Sequence, residues 1–418
     1  MKKNVFILNH YASGMMFSNG GRHYWFAKYL KRQGYAPVVF GCNVKGDKNE
    51  YYFDIDGIWT EKEAEEIQVP FVFVKSSLYT GNGKSRIKNM YGFYHNVQIA
   101  AKEYAKSHSR PDIILASSVH PLTLLAGIKL AKHFGVKCIC EVRDLWPESI
   151  IAFNESLSKE SLLAKCLYQG EKYLYKRADT LLFTFEGGYD YIRDKGWDKT
   201  IPKEKTYYVN NGIDLEVIEK LRDDYHYEDD DLDNPDIYKI VYTGSIRKVN
   251  NVGTILDLAR LVKTSHIRFL IWGDGNEAEG LKQRVKDEGI TNVIFKGKVE
   301  KTYIPSIVRR ADLNYLHFKA TEMDYKYGIS PNKLFDYFAA GKPILCDVPT
   351  KYNPMLQEDA GFSTKEGSTL QEIAALIDQI TNLTKEEYEQ KAKNAQIAAD
   401  KYDFSNLTLK LIDIIEKT

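Results

Sequence analysis

The sequence is poor in cysteine, in net charge and in long apolar runs, and each shortage excludes a class of protein. The 418 residues include 58 basic and 57 acidic side chains, so the net charge of +1 lacks the basic excess of a general nucleic-acid binder. The five cysteines form no CxxC pair and no metal-ligand spacing, which predicts buried thiols in a reducing compartment and no metal site. No stretch approaches the ~20 apolar residues of a membrane span.

The N-terminal segment has two lysines followed by only a short apolar run. A signal peptide has a longer apolar core and a cleavage site of small residues. We therefore interpret NVFIL (4–8) as a first buried strand and expect a cytoplasmic protein.

Short apolar runs alternate with segments of helical periodicity along the chain. Examples are DIILA (112–116) and TLLFTF (180–185) in the first half, and YKIVYTG (238–244) and NVIFKG (292–297) in the second. Runs that are apolar on both faces and followed by helices are typical of a parallel sheet covered on both sides. An acidic segment at 221–236, interpreted as a loop or linker, separates the two series.

We therefore expect an α/β protein with two Rossmann-like, doubly wound domains facing a central cleft. The predicted N-terminal domain is 1–212 and the predicted C-terminal domain is 213–401, with a helix at about 402–418 that could pack back on the first. Ligands in such folds bind beyond the carboxyl ends of the strands and at helix N-termini. The loops at these positions are the candidate sites.

Two loops of the first series are candidates for binding a sugar or an anion. Gly20 and Gly21 open a helix after the first strand, where glycine lets backbone N–H groups approach a ligand. The pattern is not G-x-G-x-x-G, and no acidic residue ends the second strand at Phe40, which argues against a dinucleotide site. His120 lies at the end of a later strand and is either a simple helix-start residue or a functional side chain.

A third loop, EVRDLWPES (141–149), is dense in charge. Glu141, Arg143, Asp144 and Glu148 lie beside a predicted buried strand, and buried charges need partners. They form either an internal salt-bridge cluster or a wall that binds a polar acceptor.

The second series has two loops with phosphate-binding character. Gly244 and Ser245 turn out of a strand, and Arg247 and Lys248 follow. The two cations could hold a diphosphate or could form a solvated basic turn. Gly273 makes a tight turn after the next strand.

The segment GISPNKLFDYFAAGKPI (328–344) predicts a helix that begins at an anion site. Ser330 is a good N-cap and Pro331 suits the first helical position. Lys333 adds positive charge, and Asn332 and Lys333 share a helix face with Asp336. Phosphates at the helix N-terminus and a ribose diol one turn deeper would match a nucleoside diphosphate.

Together these motifs resemble the GT-B glycosyltransferases, specifically the retaining enzymes of family 4, and among them the bacterial transferases of O-antigen, capsule and exopolysaccharide synthesis. The resemblance covers nearly the whole chain. It is carried in order by GGR, YTGNGKSRIKNM, EVRDLWPES, VNNGID, YTGSIRK, WGDGN and SPNKLFDYFAAGKP. It implies a nucleotide-sugar donor, expected to be a UDP-sugar, in the C-terminal domain. It also implies an acceptor on the N-terminal domain, retention of anomeric configuration, and no requirement for a metal or cofactor.

The resemblance also assigns roles to residues. Asp336 would bind the ribose hydroxyls, and Gly328 stands where the family has a glutamate that contacts the donor sugar. Ser245 and Asn250 stand where the family has Arg and Lys. The phosphate contacts would pass to other cations, which are Arg247, Lys248 and Lys333. The resemblance also implies four catalytic residues. His120 would contact the donor sugar, and the acceptor would be oriented or activated by Arg143, Asp144 and Glu148.

Residues 76–110 mix basic and aromatic side chains. Such a helix could lie at an anionic bilayer surface, on the cytoplasmic face of the inner membrane, or could be an ordinary core-facing helix with a solvated basic side. A polyprenyl-diphosphate-linked glycan acceptor would favour the first interpretation.

The main hypothesis is thus a hexosyl- or N-acetylhexosaminyltransferase of cell-surface polysaccharide synthesis. A nucleotide-sugar epimerase, which would need no acceptor, is one alternative. A non-catalytic nucleotide-sugar-binding protein, suggested by Gly328 and the missing family arginine, is the other.

Overall fold

The computed structural model describes residues 3–46, 48–152 and 158–418. The chain folds into two compact units, which we call unit 1 (Met1–Asn210 and Phe404–Thr418) and unit 2 (Asn211–Asp403). Each has a core of parallel strands connected by helices. The prediction of two α/β domains is confirmed.

The described residues of unit 1 form one eight-stranded sheet in the order β3-β4-β2-β1-β5-β6-β7-β8. Neighbouring strands are parallel, except that β3 and β4 are antiparallel. The strands are β1 (Asn4–Leu8), β2 (Ala36–Cys42), β3 (Trp59–Ala64), β4 (Val69–Val74), β5 (Ile113–Ser117), β6 (Lys137–Val142), β7 (Thr180–Phe183) and β8 (Thr206–Tyr208). The chain moves to one side after β1 and to the other after β5, so the topological switch point lies between these two strands.

The helices of unit 1 that precede unit 2 are α1 (Ser13–Phe17), α2 (Arg22–Arg32), α3 (Lys84–Ser107), α4 (Pro121–Phe134), α5 (Trp146–Ala152), α6 (Leu162–Arg177) and α7 (Gly188–Asp194). A 3-10 turn, Lys203–Lys205, precedes β8.

The sheet of unit 2 has six strands within the described residues, all parallel, in the order β11-β10-β9-β12-β13-β14. They are β9 (Tyr238–Thr243), β10 (Ile267–Trp272), β11 (Val293–Gly297), β12 (Leu313–Leu316), β13 (Ile344–Cys346) and β14 (Gly361–Ser363). Its helices are α8 (Leu215–Asp224), α9 (Asp230–Asp233), α10 (Gly253–Ala259), α11 (Ala278–Asp287), α12 (Ile304–Arg309), α13 (Glu322–Tyr327), α14 (Asn332–Ala340), α15 (Pro354–Gln357), α16 (Leu370–Ile380) and α17 (Lys385–Lys401).

The acidic segment at 221–236 is not a plain linker. Helix α8 continues into it, and Asp229 caps α9 by accepting the N–H groups of Asp231 and Leu232 at 3.1 and 3.0 Å. Lys296 pairs with Asp229 at 2.7 Å. The loop prediction was wrong here because a cap and an ion pair stabilise a polar turn that has few apolar residues.

The last helix, α18 (Phe404–Lys417), belongs to unit 1. Its apolar residues recur every three or four positions, so they form one face. The ring of Phe404 lies 4.9 Å from that of Trp25 and 5.2 Å from that of Phe26, both on α2. These contacts hold α18 against α2.

Candidate functional site

Two glycines bring neighbouring strand ends together at the carboxyl edge of the sheet in unit 2. Gly244 follows β9 and Gly273 follows β10, and the N–H of Gly244 donates to the carbonyl of Trp272 at 3.0 Å. A Cβ atom on Gly273 would lie 1.8 Å from the carbonyl oxygen of Gly244. Only glycine therefore permits this approach, at the edge where ligands bind in such folds.

Lys333, in the first turn of α14, reaches this edge. Its ammonium lies 3.2 Å from the hydroxyl of Tyr242 and 3.4 Å from the carbonyl oxygen of His317. It also lies 4.4 Å from the centre of the Tyr242 ring. Burial lowers the pKa of Lys333 to about 8, although Asp347 opposes this. Within the described residues no carboxylate is at ion-pair distance, so the site can accept an anionic ligand.

The start of α14 differs from the prediction. Pro331 is the N-cap, and among the described residues no side chain caps the helix. The assignment of Ser330 as N-cap was wrong, because its hydroxyl accepts the N–H of Asn211 at 2.8 Å. Its carbonyl accepts the side-chain amide of Asn211 at 2.7 Å. Ser330 therefore anchors the loop, and the positive end of the helix has no side-chain acceptor of its own. Asn332 is exposed at this end.

Asp336 lies one turn after Lys333 and is partly buried. Burial raises its pKa to about 6, while Lys301 opposes the shift. It makes no hydrogen bond or ion pair with any other described residue. The carboxylate can therefore accept hydrogen bonds from hydroxyl groups of a ligand.

The loop after β9 contains two residues that stabilise its turn and two exposed cations. The side-chain amide of Asn250 donates to the carbonyl of Ser245 at 2.6 Å and to its hydroxyl at 3.0 Å. These two residues therefore hold the turn itself. Arg247 and Lys248 are exposed, and neither forms an ion pair with the described part of the chain. The assignment of these two cations to a diphosphate stays a prediction.

A histidine that the sequence analysis missed lies beside Lys333. His317 follows β12, with Nδ1 2.7 Å from a carboxylate oxygen of Asp347 and Nε2 2.9 Å from the carbonyl of Asn251. Both partners accept, so both ring nitrogens carry hydrogen and the ring is an imidazolium. Burial alone would lower the pKa of His317, but Asp347 and Asn251 outweigh it and raise the pKa. The signal was present, since His317 and Asp347 each follow an apolar strand.

In unit 1 the Gly20–Gly21 turn directs a charge inward. The N–H of Gly20 donates to the carbonyl of Met15 at 3.0 Å. It is therefore not free to bind an anion, and the prediction for this N–H was wrong. Gly21 has φ 115°, a conformation that favours glycine, and it precedes α2. The next residue, Arg22, donates to Glu141 at 2.8 Å and to the carbonyl of Asn210 at 2.7 Å.

Glu141 and Glu148 both lie in ion pairs. Glu141 is fully buried and also binds His23 at 2.9 Å and Ser117 at 2.6 Å. Glu148 pairs with Lys195 and, at 3.4 Å, with Lys159. Burial raises the pKa of Glu148, but its hydrogen-bond and charge partners outweigh this and lower the pKa. These contacts favour the internal salt-bridge interpretation for both glutamates.

Arg143 and Asp144 are more accessible. The backbone N–H of Arg143 donates to the hydroxyl of Ser118 at 3.0 Å, which ties the end of β6 to the end of β5. Asp144 is exposed on one side and lines a cavity on the other. Partial removal from water raises the pKa of Asp144, and Arg143 opposes this. Asp144 is therefore the better placed of the predicted acceptor carboxylates.

His120 is the N-cap residue of α4, in the loop that follows β5, and it is buried. Its Nε2 lies 2.9 Å from Nδ1 of His10. Burial, with Arg86, lowers its pKa to about 3, so the ring is neutral at physiological pH. His120 is therefore unsuited to donate a proton as an imidazolium.

Two family models match this chain and together cover most of it. Residues 24–217 match Glycosyltransferase Family 4, and residues 237–385 match Glycosyl transferases group 1. The protein is a glycosyltransferase of the GT-B fold. No curated protein sequence matches it.

Solved structures share this fold. HepE from Anabaena in complex with UDP has a TM-score of 0.66 at 15% identity, covering 99% of this chain and 100% of HepE. Sucrose-phosphate synthase from Thermosynechococcus elongatus has a TM-score of 0.71 at 14% identity, covering 100% and 99%. A UDP-forming trehalose-phosphate synthase from Burkholderia xenovorans has a TM-score of 0.69 at 10% identity, covering 99% of both chains.

Unit 1 of this glycosyltransferase contains an apolar cavity of about 270 Å³. Helices α4, α5 and α6 form its walls, with Asp144 on one side. Its apolar lining includes Leu122, Leu125, Trp146, Leu167 and Leu174. The cavity therefore adjoins the candidate acceptor loop and suits a hydrocarbon group.

The basic-aromatic segment is helix α3, which buries one face and exposes the other. Phe93, Val97 and Tyr104 lie in the core, whereas Ile87 and Tyr91 are 63% and 61% exposed. The core-facing interpretation describes the buried face, and a surface role of the exposed face remains a prediction. Across the described ranges, no helix combines the length and apolarity required to cross a bilayer. The same residues contain no cluster of three or more metal-ligating side chains.

Proposed function

We propose that the protein is a retaining glycosyltransferase that moves a hexosyl or N-acetylhexosaminyl group from a UDP-sugar to a lipid-linked glycan in cell-surface polysaccharide synthesis. Lys333 supports the assignment of the donor site. It is a partly buried cation with no carboxylate partner among the described residues, and it lies beside Gly244 at the start of α14. The structures of HepE with UDP and with UDP-glucose support a UDP-sugar donor.

The leaving diphosphate takes up negative charge as the bond to the sugar breaks. Lys333 and the N-terminus of α14 stabilise that charge, and Asp336 accepts the ribose hydroxyls. The acceptor hydroxyl attacks from the face that the diphosphate leaves, and a phosphate oxygen takes its proton. Arg143 and Asp144 orient the acceptor.

An apolar cavity beside Asp144 supports a lipid-linked acceptor, because a hydrocarbon chain gains by leaving water at such a surface. The diphosphate of a polyprenyl carrier would lie outside the cavity. We place this reaction at the cytoplasmic face of the inner membrane.

The test is UDP release from UDP-glucose, UDP-galactose and UDP-N-acetylglucosamine, each with and without polyprenyl-diphosphate-linked sugars. We expect release that depends on the lipid acceptor, and a product that keeps the anomeric configuration by NMR. A change of the donor without any acceptor would indicate an epimerase.

A non-catalytic binder is the second candidate, because Gly328 offers no side chain where the family has a glutamate. Ser245 and Asn250, which hold their own turn, also replace the family cations. Binding of a UDP-sugar without turnover for any acceptor would favour this candidate over the transferase.

Replacing Asp336 by Asn is expected to weaken UDP-glucose binding about 10- to 150-fold, since a hydrogen bond to a charged group contributes about 1.5–3 kcal/mol. Binding by the unaltered protein should also weaken as the pH falls through about 6, the pKa of Asp336. The variant should lose that pH dependence. Calorimetry with UDP-glucose is preferred, because the terminal phosphate of UDP itself titrates near pH 6.

The control for this experiment is Asp287→Asn, an exposed aspartate on α11. It should keep the affinity and the pH profile of the unaltered protein. Equal affinity in Asp336→Asn and the control would refute the ribose assignment.

Replacing Lys84 and Lys88 by Ala is expected to reduce binding to phosphatidylglycerol vesicles about thirtyfold. Each basic residue near an anionic surface contributes about 1 kcal/mol. Both lysines are exposed on α3 beside Ile87 and Tyr91. Vesicle sedimentation at two salt concentrations measures the effect.

The charge-matched control is Lys199→Ala with Lys286→Ala, both exposed and remote from α3 in sequence. Equal loss in the two double variants would mean that net charge alone drives vesicle binding. No vesicle binding by the unaltered protein would end the membrane proposal for α3.

A further inference from the structure

A chain of three buried polar side chains crosses the switch point of unit 1. His10 follows β1 and His120 follows β5, and these strands are neighbours. Nε2 of His10 lies 2.8 Å from Oδ1 of Asn89, and Nδ1 of His10 lies 2.9 Å from Nε2 of His120. All three residues are at most 1% exposed, so water does not compete for these bonds.

The amide of Asn89 determines which atom donates and which accepts in each of these hydrogen bonds. Its Nδ2 lies 2.5 Å from the carbonyl oxygen of Ser77, which can only accept a hydrogen bond. The amide nitrogen must therefore face Ser77, and the amide oxygen must face His10. Because that oxygen also only accepts, Nε2 of His10 carries the hydrogen.

The protonation of His10 in turn determines that of His120. A neutral imidazole has one N–H, so Nδ1 of His10 is an acceptor. Nε2 of His120 must then donate to it, which leaves Nδ1 of His120 with a free lone pair. That atom is buried and has no hydrogen-bond partner among the described residues.

Both rings stay neutral, as this assignment requires. Burial, the neighbouring His120 and Arg86 lower the pKa of His10 well below its ordinary value, although Asn89 opposes them. Burial and Arg86 also lower the pKa of His120 to about 3. Protonation of either ring to an imidazolium, which would change which nitrogen donates, is therefore disfavoured.

We propose that Asn89 and His10 are positioning residues that hold His120 in its Nε2-protonated tautomer, so that Nδ1 accepts a hydrogen bond from a sugar hydroxyl of the substrate. The substrate part of this inference rests on the proposed function. Nδ1 lies at the end of β5, beside the switch point where ligands bind in doubly wound sheets. An uncapped buried acceptor favours a ligand that brings a donor. His120 thus acts as an acceptor and not as a general acid.

The first test is the tautomer itself, read in the full chain by long-range ¹H–¹⁵N NMR of ¹⁵N-histidine. We expect both His10 and His120 to show hydrogen on Nε2 only, with no titration between pH 5 and pH 8. The variants His10→Gln and His120→Asn identify the two signals. Hydrogen on Nδ1 of His120, or titration near the ordinary histidine pKa of about 6.5, would overturn the proposal.

The second test breaks the chain at its far end. Asn89→Leu removes the acceptor that fixes His10, so we expect mixed tautomers at His120 and a kcat about three- to tenfold lower, in line with one hydrogen bond. Asn89→Gln keeps an amide oxygen for His10 and an amide N–H for the carbonyl of Ser77, so it should keep the Nε2-protonated form and most of the rate. Loss of kcat in Asn89→Leu with an unchanged His120 tautomer would contradict a positioning role.

The matched control is Asn96→Leu on the same helix, whose side chain donates to the carbonyl of Lys75 at 2.8 Å. It should leave the tautomer and kcat unchanged. An equal kcat loss in Asn96→Leu would assign the effect to α3 as a whole and overturn the proposal. If no UDP-sugar is turned over, the proposed function fails, whereas the NMR result still decides the tautomer.

Discussion

Replacing Lys333 by Met is expected to weaken UDP binding about 30- to 150-fold. A charged hydrogen-bonding group that is partly removed from water contributes about 2–3 kcal/mol to holding a phosphate. Lys333 is suited to this role because its ammonium lies at the strand edge, 3.4 Å from the carbonyl of His317, without a carboxylate partner among the described residues. Isothermal titration calorimetry with UDP at pH 7 measures the change.

The same substitution is expected to stabilise the unliganded protein by about 1–3 kcal/mol, because it removes a cation that folding takes out of water. Burial lowers the pKa of Lys333 from 10.5 to about 8, so the unfolded chain holds this proton more tightly than the folded one. The cost is therefore complete below pH 8, shrinks as the pH rises, and is absent above about 10.5. The difference in stability between variant and unaltered protein should follow that course in denaturant titrations.

Lys286→Met is the control, since Lys286 is an exposed lysine of α11 in the same unit. It should change neither the affinity for UDP nor the stability. A Lys333→Met protein that binds UDP as tightly as the control would move the phosphate site elsewhere, with Arg247 and Lys248 as the next candidates.

Replacing Glu141 by Ala is expected to destabilise the protein by about 3–5 kcal/mol. The carboxylate is 0% exposed and holds Arg22 at 2.8 Å, His23 at 2.9 Å and Ser117 at 2.6 Å. Its removal takes away the carboxylate to which the buried Arg22 guanidinium donates at 2.8 Å. Differential scanning calorimetry should show a Tm about 10 °C lower, given the usual shift per kcal/mol for a domain of this size.

Glu204→Ala is the matched control, because Glu204 is exposed and surface substitutions change stability by about 0.5 kcal/mol or less. The pair Arg22→Met with Glu141→Leu should recover much of the loss, since an apolar pair of similar volume avoids the desolvation of both charges. A Glu141→Ala protein as stable as the control would show that the cluster contributes nothing to folding.

The fold was predictable because its signals are local. NVFIL (4–8) and YKIVYTG (238–244) are short, apolar on both faces and followed by helices, and this pattern alone favours buried parallel strands. Local signals also misled, since Ser330 has the chemistry of an N-cap but binds Asn211 instead. Ser330 does not cap the helix because its hydroxyl binds Asn211, which is 119 positions away. Patterns among neighbouring residues in the sequence cannot reveal such a partner.

The roles of individual charges in the candidate site were less predictable. From the sequence alone, Glu141 and Glu148 could either bind the acceptor substrate, as proposed for Asp144, or belong to an internal salt-bridge cluster. Only the fold brings Arg22, which is 119 positions away, to Glu141, and Lys195 to Glu148. His317 was missed because its partners Asn251 and Asp347 lie on other loops of the sheet edge.

By itself, the sequence determined that this glycosyltransferase has two α/β domains and that its polar loops follow the strands, because apolar periodicity and turn residues act within a few positions. The tertiary structure decided which charges neutralise each other and which, like Lys333, do not. That difference is physical, since burial and pairing depend on residues from separate strands that only the folded sheet brings within hydrogen-bond distance.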